Sequence, residues 1–292
     1  MAHYDRRLGF IGTGIMGRPM VQHLLAQEPV TVYNRTAAKT AGLQELGAEV
    51  VQTPAEVGRA SNLIFMMVTD DAALESVMLG EEGLLHQVTN GTIIVDHSTV
   101  SVDVTRRLAK AVHDRGATWC DAPVTGGDIG AQEATLTIMV GGPERTFDTI
   151  YPYLMRLGQR IEHVGEVGQG QALKVIANLV SALNLMAAAE GIRLGLEAGL
   201  SLEAMDAVMS HGSAQSFEVS KMLDRYGRQE YRPGFSVANR LKDLGLARDL
   251  AQSLGQSIPL GDQGYHLFAE HLAKGHRDLD ESSYILRWSA HD

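Results

Sequence analysis

Residues 8–17 constrain the fold of this chain more than any other segment. They read Leu-Gly-Phe-Ile-Gly-Thr-Gly-Ile-Met-Gly, an apolar run that ends in Gly12, Gly14 and Gly17. Gly12 gives the backbone freedom to turn, Gly14 lets the main chain approach a ligand without a Cβ atom, and Gly17 allows close packing of a helix on a strand. A helix that starts here presents free N–H groups to an anion. The motif therefore predicts a strand, a turn that holds a pyrophosphate, and a helix.

The candidate dinucleotide contacts in this turn are the six consecutive residues Gly12, Thr13, Gly14, Ile15, Met16 and Gly17.

Composition limits the class of protein. The chain has 292 residues, 45% of them hydrophobic, so it can bury the cores of about two domains. Acidic residues outnumber basic ones by 35 to 25, which argues against a nucleic-acid-binding surface. Cys120 is the single cysteine, so an internal disulfide is excluded, and the scattered histidines lack the spacing of metal ligands. We expect a cytoplasmic protein without a metal.

No apolar stretch reaches the roughly 18 residues that cross a bilayer, and the N-terminal residues have no signal-peptide core. The sequence therefore predicts no membrane partner.

The first half of the chain alternates strand-like and helix-like segments. Strands are predicted at 8–11, 30–33, 62–68, 92–96, 118–121 and 135–141. Helices are predicted between most of them, at 19–26, 37–46, 54–60, 72–79 and 102–115. Alternation of this kind predicts a parallel sheet that is covered by helices on both faces.

The second half has a different character. A helix at 151–157 and a short strand at 161–164 precede a helical pattern that runs from 171 to about 198. This long helix is apolar on more than one face, so we expect other helices, of this chain or of another subunit, to bury it. The remaining segments show only helical periods. The predicted domains are a dinucleotide-binding domain at 1–164, a connecting helix at 165–198 and an all-α domain at 199–292.

The end of the second strand indicates which dinucleotide is bound. An NAD-binding unit places an acidic residue about 20 positions after the first glycine. Here the chain reads Asn34-Arg35-Thr36, in which Arg35 offers a cationic fork for a 2′-phosphate, while Asn34 and Thr36 add neutral hydrogen bonds. These residues favour NADP(H). The alternative is a polar turn in which Thr36 only caps a helix that begins at Ala37.

Two further segments contain candidate substrate-binding and catalytic residues. The turn Thr125-Gly126-Gly127 follows a predicted strand and exposes a hydroxyl and two unencumbered N–H groups, which suit a carboxylate. Further along, Lys174 and Asn178 lie one helical turn apart after a glycine-rich entry. A partly desolvated lysine has its pKa lowered toward the range of proton transfer. The alternative for Lys174 is a solvated surface position.

Four motifs in this order resemble the β-hydroxyacid dehydrogenases. They are Gly12-x-Gly14-x-x-Gly17-x-x-Met20, the segment from Asp121 to Gly127, the segment from Gly165 to Lys174 with Asn178, and the segment from Lys242 to Asp249. The resemblance covers almost the whole chain. It implies an α/β Rossmann-type dinucleotide-binding domain followed by an all-α domain, joined by a long helix.

The resemblance also implies roles for individual residues. Lys174 would be the general acid/base, and Asn178 would orient the substrate. The carboxylate would be bound by Thr125, Gly126 and Gly127, of which Thr125 stands where the family usually has serine. Thr99 and Lys242 would contact the nicotinamide side of the cofactor, and Val68 would lie on the rim of the cofactor site. His97 is not needed as a base, because Lys174 fills that role.

The expected activity is an NADPH-dependent reduction of a short aldehyde acid, reversible as a dehydrogenation. The segment 126–131 is most similar to tartronate semialdehyde reductases, so tartronate semialdehyde is the expected substrate. Three alternatives stay open: a 3-hydroxyisobutyrate dehydrogenase or succinic semialdehyde reductase, an imine reductase, and a non-catalytic NADP-binding module. The apolar long helix predicts a homodimer or homotetramer.

Overall fold

A computed structural model describes residues 6–232 and 234–288. The chain divides into two compact units, residues 1–174 and 175–292, and the division falls within one long helix.

Unit 1 is built on one mixed sheet. In its described part the sheet has nine strands: β1 (Leu8–Ile11), β2 (Val30–Tyr33), β3 (Glu49–Val50), β4 (Leu63–Met66), β5 (Ile93–Asp96), β6 (Thr118–Asp121), β7 (Val124–Thr125), β8 (Leu136–Gly141) and β9 (Gly158–Gly165). The strand order is β3-β2-β1-β4-β5-β6-β8-β7, and β9 pairs with β8.

The first six strands of this order are parallel, whereas β8 runs antiparallel to β6 and β7. The prediction of a parallel sheet therefore holds for β1–β6 and fails at β8. The chain moves outward from β1 to β2 and β3 and then returns to the other side of β1 at β4. In sheets with this topology, ligands bind beyond the carboxyl ends of the strands at the point of reversal.

In the described part of unit 1, six α-helices lie between strands in the sequence. They are α1 (Gly17–Leu25), α2 (Pro54–Ala60), α3 (Asp71–Leu79), α4 (Val102–His113), α5 (Gly127–Gln132) and α6 (Glu144–Leu154). The central strands are apolar on both faces, as β4 illustrates: Leu63 and Phe65 belong to one buried cluster, and Ile64 and Met66 to another. The sheet therefore separates two cores, as expected of strands that are covered on both sides.

Two local predictions were wrong, and some short elements were not predicted. The helix expected at 37–46 is a single 3-10 turn, Ala37–Thr40, because Gly42 and Gly47 have left-handed φ angles of +77° and +96° that end regular helix. The helix expected at 151–157 begins earlier, at Glu144, and ends at Leu154. Strands β3 and β7 and helix α5 had no counterpart in the prediction, since all three are very short.

Helix α7 (Gln169–Glu197) begins in unit 1 and continues into unit 2. An 18-residue window in it has a mean hydropathy of 1.6, so it is long and apolar enough to cross a membrane, and the expectation that no such segment exists was wrong. However, 44% of that window is buried within the protein. A core helix of a globular protein meets the same criteria, so α7 is only weak evidence for a membrane.

The described part of unit 2 is helical, apart from one isolated bridge between Ser236 and Asp280. Its helices after α7 are α8 (Leu202–Met209), α9 (Phe217–Arg228), α10 (Val237–Ser253) and α11 (Pro259–His271), and a 3-10 segment covers Glu281–Trp288. One face of α7, which includes Ala182, Leu185 and Ile192, packs in a single buried cluster of this unit. The prediction of an all-α second domain is confirmed for these residues.

Candidate active site

The glycine-rich turn joins β1 to α1. Gly12 has a φ of +98°, and a Cβ atom there would collide with the carbonyl oxygen of Met67. A Cβ at Gly17 would collide with the carbonyl oxygen of Gly12. At Gly14, by contrast, a Cβ would meet open space among the described residues. The fold itself thus requires Gly12 and Gly17, whereas Gly14 borders a space that a ligand can enter.

Helix α1 starts beside this space. Its N-cap residue is Met16, and among the described residues no side chain caps the start. Because the first N–H groups of a helix need an acceptor and carry partial positive charge, the residues present fit the phosphates of a dinucleotide. Ile15, in the same turn, is 78% exposed.

Asn34 holds the glycine-rich turn against the end of β2. Its Oδ1 accepts the N–H of Thr13 at 3.0 Å, and its Nδ2 donates to the carbonyl oxygen of Thr36 at 2.9 Å. The Thr13 hydroxyl donates to the carbonyl oxygen of Lys39 at 3.1 Å. Asn34 and Thr13 therefore shape the site through bonds inside the protein. Arg35 and Thr36 are exposed beside them, and Thr36 makes no capping bond to the 3-10 turn at Ala37.

The loops after β4 and β5 are tied together at the carboxyl edge of the sheet. Val68 donates its N–H to Ser98 Oγ at 2.9 Å, and Ser98 donates its own N–H to Asp96 Oδ1 at 3.0 Å. Val68, expected on the rim of the cofactor site, and Thr99, expected at the nicotinamide side, are both half-buried in these neighbouring loops. The network fixes the backbone of two neighbouring loops beyond the carboxyl ends of β4 and β5, on one side of the reversal point.

His97 is a packed core residue. Its Nδ1 lies 2.7 Å from the carbonyl oxygen of Ala122, and its ring stacks on Phe65 with centroids 5.8 Å apart. Burial lowers the pKa of His97 to about 4, so the imidazole is neutral at physiological pH. Cys120 is also fully buried, and burial raises the pKa of its thiol to about 12. These environments give neither side chain the chemistry of an active-site nucleophile or base.

The predicted carboxylate-binding turn lies between β7 and α5. Thr125 pairs with Thr137 of β8 and is exposed, as are Gly126 and Gly127. The two glycines have φ angles of +130° and +65°, which L-residues with a side chain rarely adopt. The turn thus presents a hydroxyl and exposed backbone at the surface of unit 1.

Asp121, at the end of β6, anchors the start of α7. Its two carboxylate oxygens accept the N–H groups of Gly168 at 2.7 Å and Gln171 at 2.8 Å. Burial raises the pKa of Asp121 to about 6, while these backbone hydrogen bonds act in the opposite direction. Lys174, three residues after Gln171, is only 7% exposed. The surface alternative for Lys174 is therefore wrong, because this lysine is buried at the end of unit 1.

In unit 2, Asn178 is held by two residues of α10. Its side-chain Nδ2 donates to Asp243 Oδ2 at 2.5 Å. Its backbone carbonyl oxygen accepts a hydrogen bond from the Arg240 guanidinium at 2.8 Å. Lys242 forms an ion pair with Asp243 at 3.3 Å. Asn178, Arg240 and Asp243 are all buried. Asn178 and Lys242, predicted from separate motifs, are thus linked through one carboxylate.

Sequence reasoning missed the supporting roles of Asp121, Arg240 and Asp243. A signal existed for two of them, since Asp121 opens the motif that contains Thr125, and Asp243 follows Lys242 directly. Arg240 had none, because an arginine in a helical pattern is usually a surface residue. Among the described residues, no cluster of three or more histidine, cysteine or acidic side chains could hold a metal ion.

Two protein families match the chain. Residues 7–165 match the NAD binding domain of 6-phosphogluconate dehydrogenase, and residues 168–288 match the family described as NAD-binding of NADP-dependent 3-hydroxyisobutyrate dehydrogenase.

Individual proteins are similar over nearly the full chain. A 2-hydroxy-3-oxopropionate reductase of Escherichia coli is 38% identical, with 96% of each chain covered. Among solved structures, Mycobacterium tuberculosis 3-hydroxyisobutyrate dehydrogenase with L-serine has a TM-score of 0.89 at 30% identity, covering 96% of this chain and 98% of the other. Psf3 in complex with NADP+ and 2-OPP has a TM-score of 0.86 at 31% identity, covering 95% and 98%.

The chain belongs to the β-hydroxyacid dehydrogenase family. This confirms the resemblance inferred from the four motifs and the fold class, a Rossmann-type domain followed by a helical domain. The protein is an oxidoreductase that acts on CH–OH groups and uses a nicotinamide dinucleotide.

Proposed function

We propose that the protein is an NADPH-dependent reductase of short aldehyde acids, with tartronate semialdehyde as its substrate. Lys174 donates a proton to the carbonyl oxygen during reduction and accepts it in the reverse direction. Asn178 orients the substrate, and the Thr125-Gly126-Gly127 turn binds its carboxylate. The cofactor, when bound, supplies the hydride that reduces the carbonyl carbon.

The single observation that carries this proposal is the anchoring of the Lys174 helix. Asp121 lies four residues before Thr125 and caps the start of α7 through Gly168 and Gln171. One short segment therefore bears the carboxylate-binding turn and also fixes the helix of the proton donor. Reaction rates depend steeply on such positioning of a bound substrate. Burial of Lys174 to 7% exposure supports proton transfer in a poorly hydrated environment.

The cofactor preference is supported by Arg35. Its exposed guanidinium stands at the end of β2, where an NAD-preferring unit has an acidic residue. The glycine-rich turn, Val68, Thr99 and Lys242 complete the proposed contacts with NADP(H). The solved structure of Psf3 with NADP+ is consistent with this preference.

The substrate assignment draws on the similarity to the 2-hydroxy-3-oxopropionate reductase, since 2-hydroxy-3-oxopropionate is tartronate semialdehyde. Compared with the serine that is usual in the family, Thr125 has the same hydroxyl and one additional methyl group. The methyl group narrows the substrate pocket and favours a small acid. 3-Hydroxyisobutyrate and succinic semialdehyde are the alternative substrates within this reaction class.

The test is oxidation of NADPH by the purified protein with a panel of substrates. The panel contains tartronate semialdehyde, succinic semialdehyde and a cyclic imine, and 3-hydroxyisobutyrate is offered with NADP+. We expect the highest kcat/KM with tartronate semialdehyde. Turnover of the imine alone would identify an imine reductase, and binding of NADPH without any oxidation would identify a binding module.

A lysine variant tests the mechanism. Lys174→Ala should lower kcat by at least about 100-fold, the usual size of an acid/base contribution. Lys110→Ala, at an exposed position on α4, is the matched control and should keep full activity. A Lys174→Ala protein that retains most of its turnover would overturn the assignment.

The proposal extends to assembly, location and domains. We propose a homodimer or homotetramer, because α7 exposes Val180 at 52% and Leu194 at 72%. Light scattering of the purified protein tests this point. We also propose a cytoplasmic location and the functional domains 1–164, 165–198 and 199–292.

A further inference from the structure

Gln171 is a buried glutamine whose side-chain amide forms hydrogen bonds through both its nitrogen and its oxygen. Its Nε2 donates to the carbonyl oxygen of Ser98 at 2.7 Å, and its Oε1 accepts the N–H of Val100 at 3.3 Å. Its side chain is fully buried. The two backbone groups that it contacts belong to the residues on either side of Thr99. Gln171 therefore holds the main chain of this turn from both sides.

The backbone of Gln171 is fixed as well. Its N–H donates to Asp121 Oδ2 at 2.8 Å, and Lys174 follows three residues later, about one helical turn along α7. The same residue thus joins the end of β6, the turn that carries Thr99 and the helix that carries Lys174. All of these contacts lie within unit 1.

The Ser98–Val100 turn is also connected to the rest of the cofactor edge. Ser98 accepts the N–H of Val68 through its hydroxyl and donates its own N–H to Asp96. A movement of the turn would therefore be transmitted to the loop after β4. Among these contacts, only those of Gln171 join the turn directly to α7.

An amide is the side chain that these contacts require. Glutamine supplies one donor and one acceptor from the same planar group, so it satisfies both Ser98 and Val100. Glutamate keeps the acceptor but loses the donor, and it places a carboxylate against the Ser98 carbonyl. Leucine has neither group and leaves the two backbone groups without this partner in a buried place.

We infer that Gln171 is a positioning residue for the reduction: it holds the Thr99 turn against the helix that bears Lys174. The inference rests on the proposed function. Gln171 acts through Thr99 and Lys174 and does not itself exchange a proton with the substrate.

The variants Gln171→Leu and Gln171→Glu test this inference. We expect kcat for NADPH oxidation to fall by about 10- to 100-fold in both, the range that a small misplacement of reacting groups produces. The Kd of NADPH should stay within threefold, because the glycine-rich turn and Arg35 are unchanged. A lower kcat at nearly constant Kd separates positioning from a general loss of folded protein.

A structural readout accompanies the kinetics. Hydrogen exchange at the Val100 amide should accelerate in Gln171→Leu, which has lost the acceptor. It should remain close to wild type in Gln171→Glu, which keeps the acceptor. Gln159→Glu, at an exposed position on β9, is the matched control and should leave kcat, Kd and exchange unchanged.

Each outcome of these experiments supports or overturns the role of Gln171 as a positioning residue. The inference is overturned if kcat of Gln171→Leu stays within twofold of wild type below its melting temperature, or if Val100 exchange does not change. If the wild-type protein oxidises NADPH with no member of the panel, the proposed function fails, and the assignment of Gln171 to this reduction fails with it. Val100 exchange still reports separately whether Gln171 holds the turn.

Discussion

The carboxylate of Asp121 accepts the backbone N–H of Gly168 at 2.7 Å, although 47 residues separate the two in sequence. Gly168 has a φ of +90°, which allows the chain to turn into α7 at this point. The second carboxylate oxygen accepts the N–H of Gln171. A strand end in the sheet thus caps the helix that carries Lys174, in the way that an N-cap residue does within one segment.

Replacing Asp121 by asparagine should destabilise the protein. The asparagine amide keeps one acceptor oxygen, but its NH2 group faces a backbone N–H where a carboxylate oxygen was. We expect the free energy of unfolding at neutral pH to fall by about 1–3 kcal/mol, the cost of leaving one buried backbone N–H without its acceptor. Urea denaturation followed by circular dichroism measures this change.

The control for Asp121→Asn is Asp103→Asn, in the exposed first turn of α4. This control variant should unfold within about 0.5 kcal/mol of wild type. Equal urea midpoints for Asp121→Asn and Asp103→Asn would mean that the contact with Gly168 adds nothing to stability.

Two glycines of the same turn should respond differently to alanine. Gly14→Ala places its Cβ in open space, so stability should change by less than about 1 kcal/mol, while the Kd of NADPH rises about tenfold or more. Gly17→Ala drives its Cβ into the carbonyl of Gly12 and should lower stability by about 2 kcal/mol or more. Thermal melts and fluorescence titration with NADPH measure the two effects.

The contrast between Gly14 and Gly17 separates binding from folding. A Gly14→Ala protein that binds NADPH as tightly as wild type would contradict the placement of the phosphates beside this glycine. A Gly17→Ala protein that melts at the wild-type temperature would contradict the close packing of α1.

Arg35 should discriminate between the two dinucleotides. Arg35→Ala removes a cation that can pair with the 2′-phosphate, so the Kd of NADPH should rise by about 10- to 100-fold. The Kd of NADH should change by less than threefold, because NADH has no phosphate at that position. Arg59→Ala, at an exposed position in α2, controls for the loss of one positive charge. Equal weakening of both cofactors would show that Arg35 does not read the 2′-phosphate.

Asp96 should make stability depend on pH. Burial raises the pKa of Asp96 from 3.8 to about 7, and the neighbouring Asp121 adds to the effect. Because the folded-state pKa is the higher one, the stabilisation is complete below pH 4 and is lost as the pH rises through 7. The shift corresponds to about 4 kcal/mol at most.

The variant Asp96→Asn removes this titration and keeps an acceptor for the Ser98 N–H. Relative to wild type, its free energy of unfolding should increase between about pH 4 and about pH 8, by up to about 4 kcal/mol. Urea denaturation at several pH values measures the difference. Asp121 titrates in both proteins, and its electrostatic coupling to Asp96 is part of the measured difference. A constant difference across this range would contradict the raised pKa.

Local patterns predicted most of unit 1. The strands predicted at 8–11, 30–33 and 118–121 are β1, β2 and β6 at the same bounds, because short segments rich in β-branched and aromatic residues between helical patterns are typical of strands. The failure at 37–46 has a local cause, since the helical period there continues through Gly42, whose left-handed φ ends the helix. The antiparallel pairing of β8 could not be predicted, because the residue pattern of a buried apolar strand does not show whether its neighbours run parallel or antiparallel to it.

The sequence by itself determined the glycine-rich turn, the alternation of strands and helices, and the residue types of the candidate site. Those features depend on neighbours within a few positions, where periodicity and backbone sterics act. Only the tertiary structure decided that Asp121 caps α7 and that Gln171 holds the Thr99 turn. It also decided that the Asn34 side chain accepts a hydrogen bond from the Thr13 N–H. Each of these bonds joins residues at least 21 positions apart. Their partners are set by strand order and register, which no local pattern encodes.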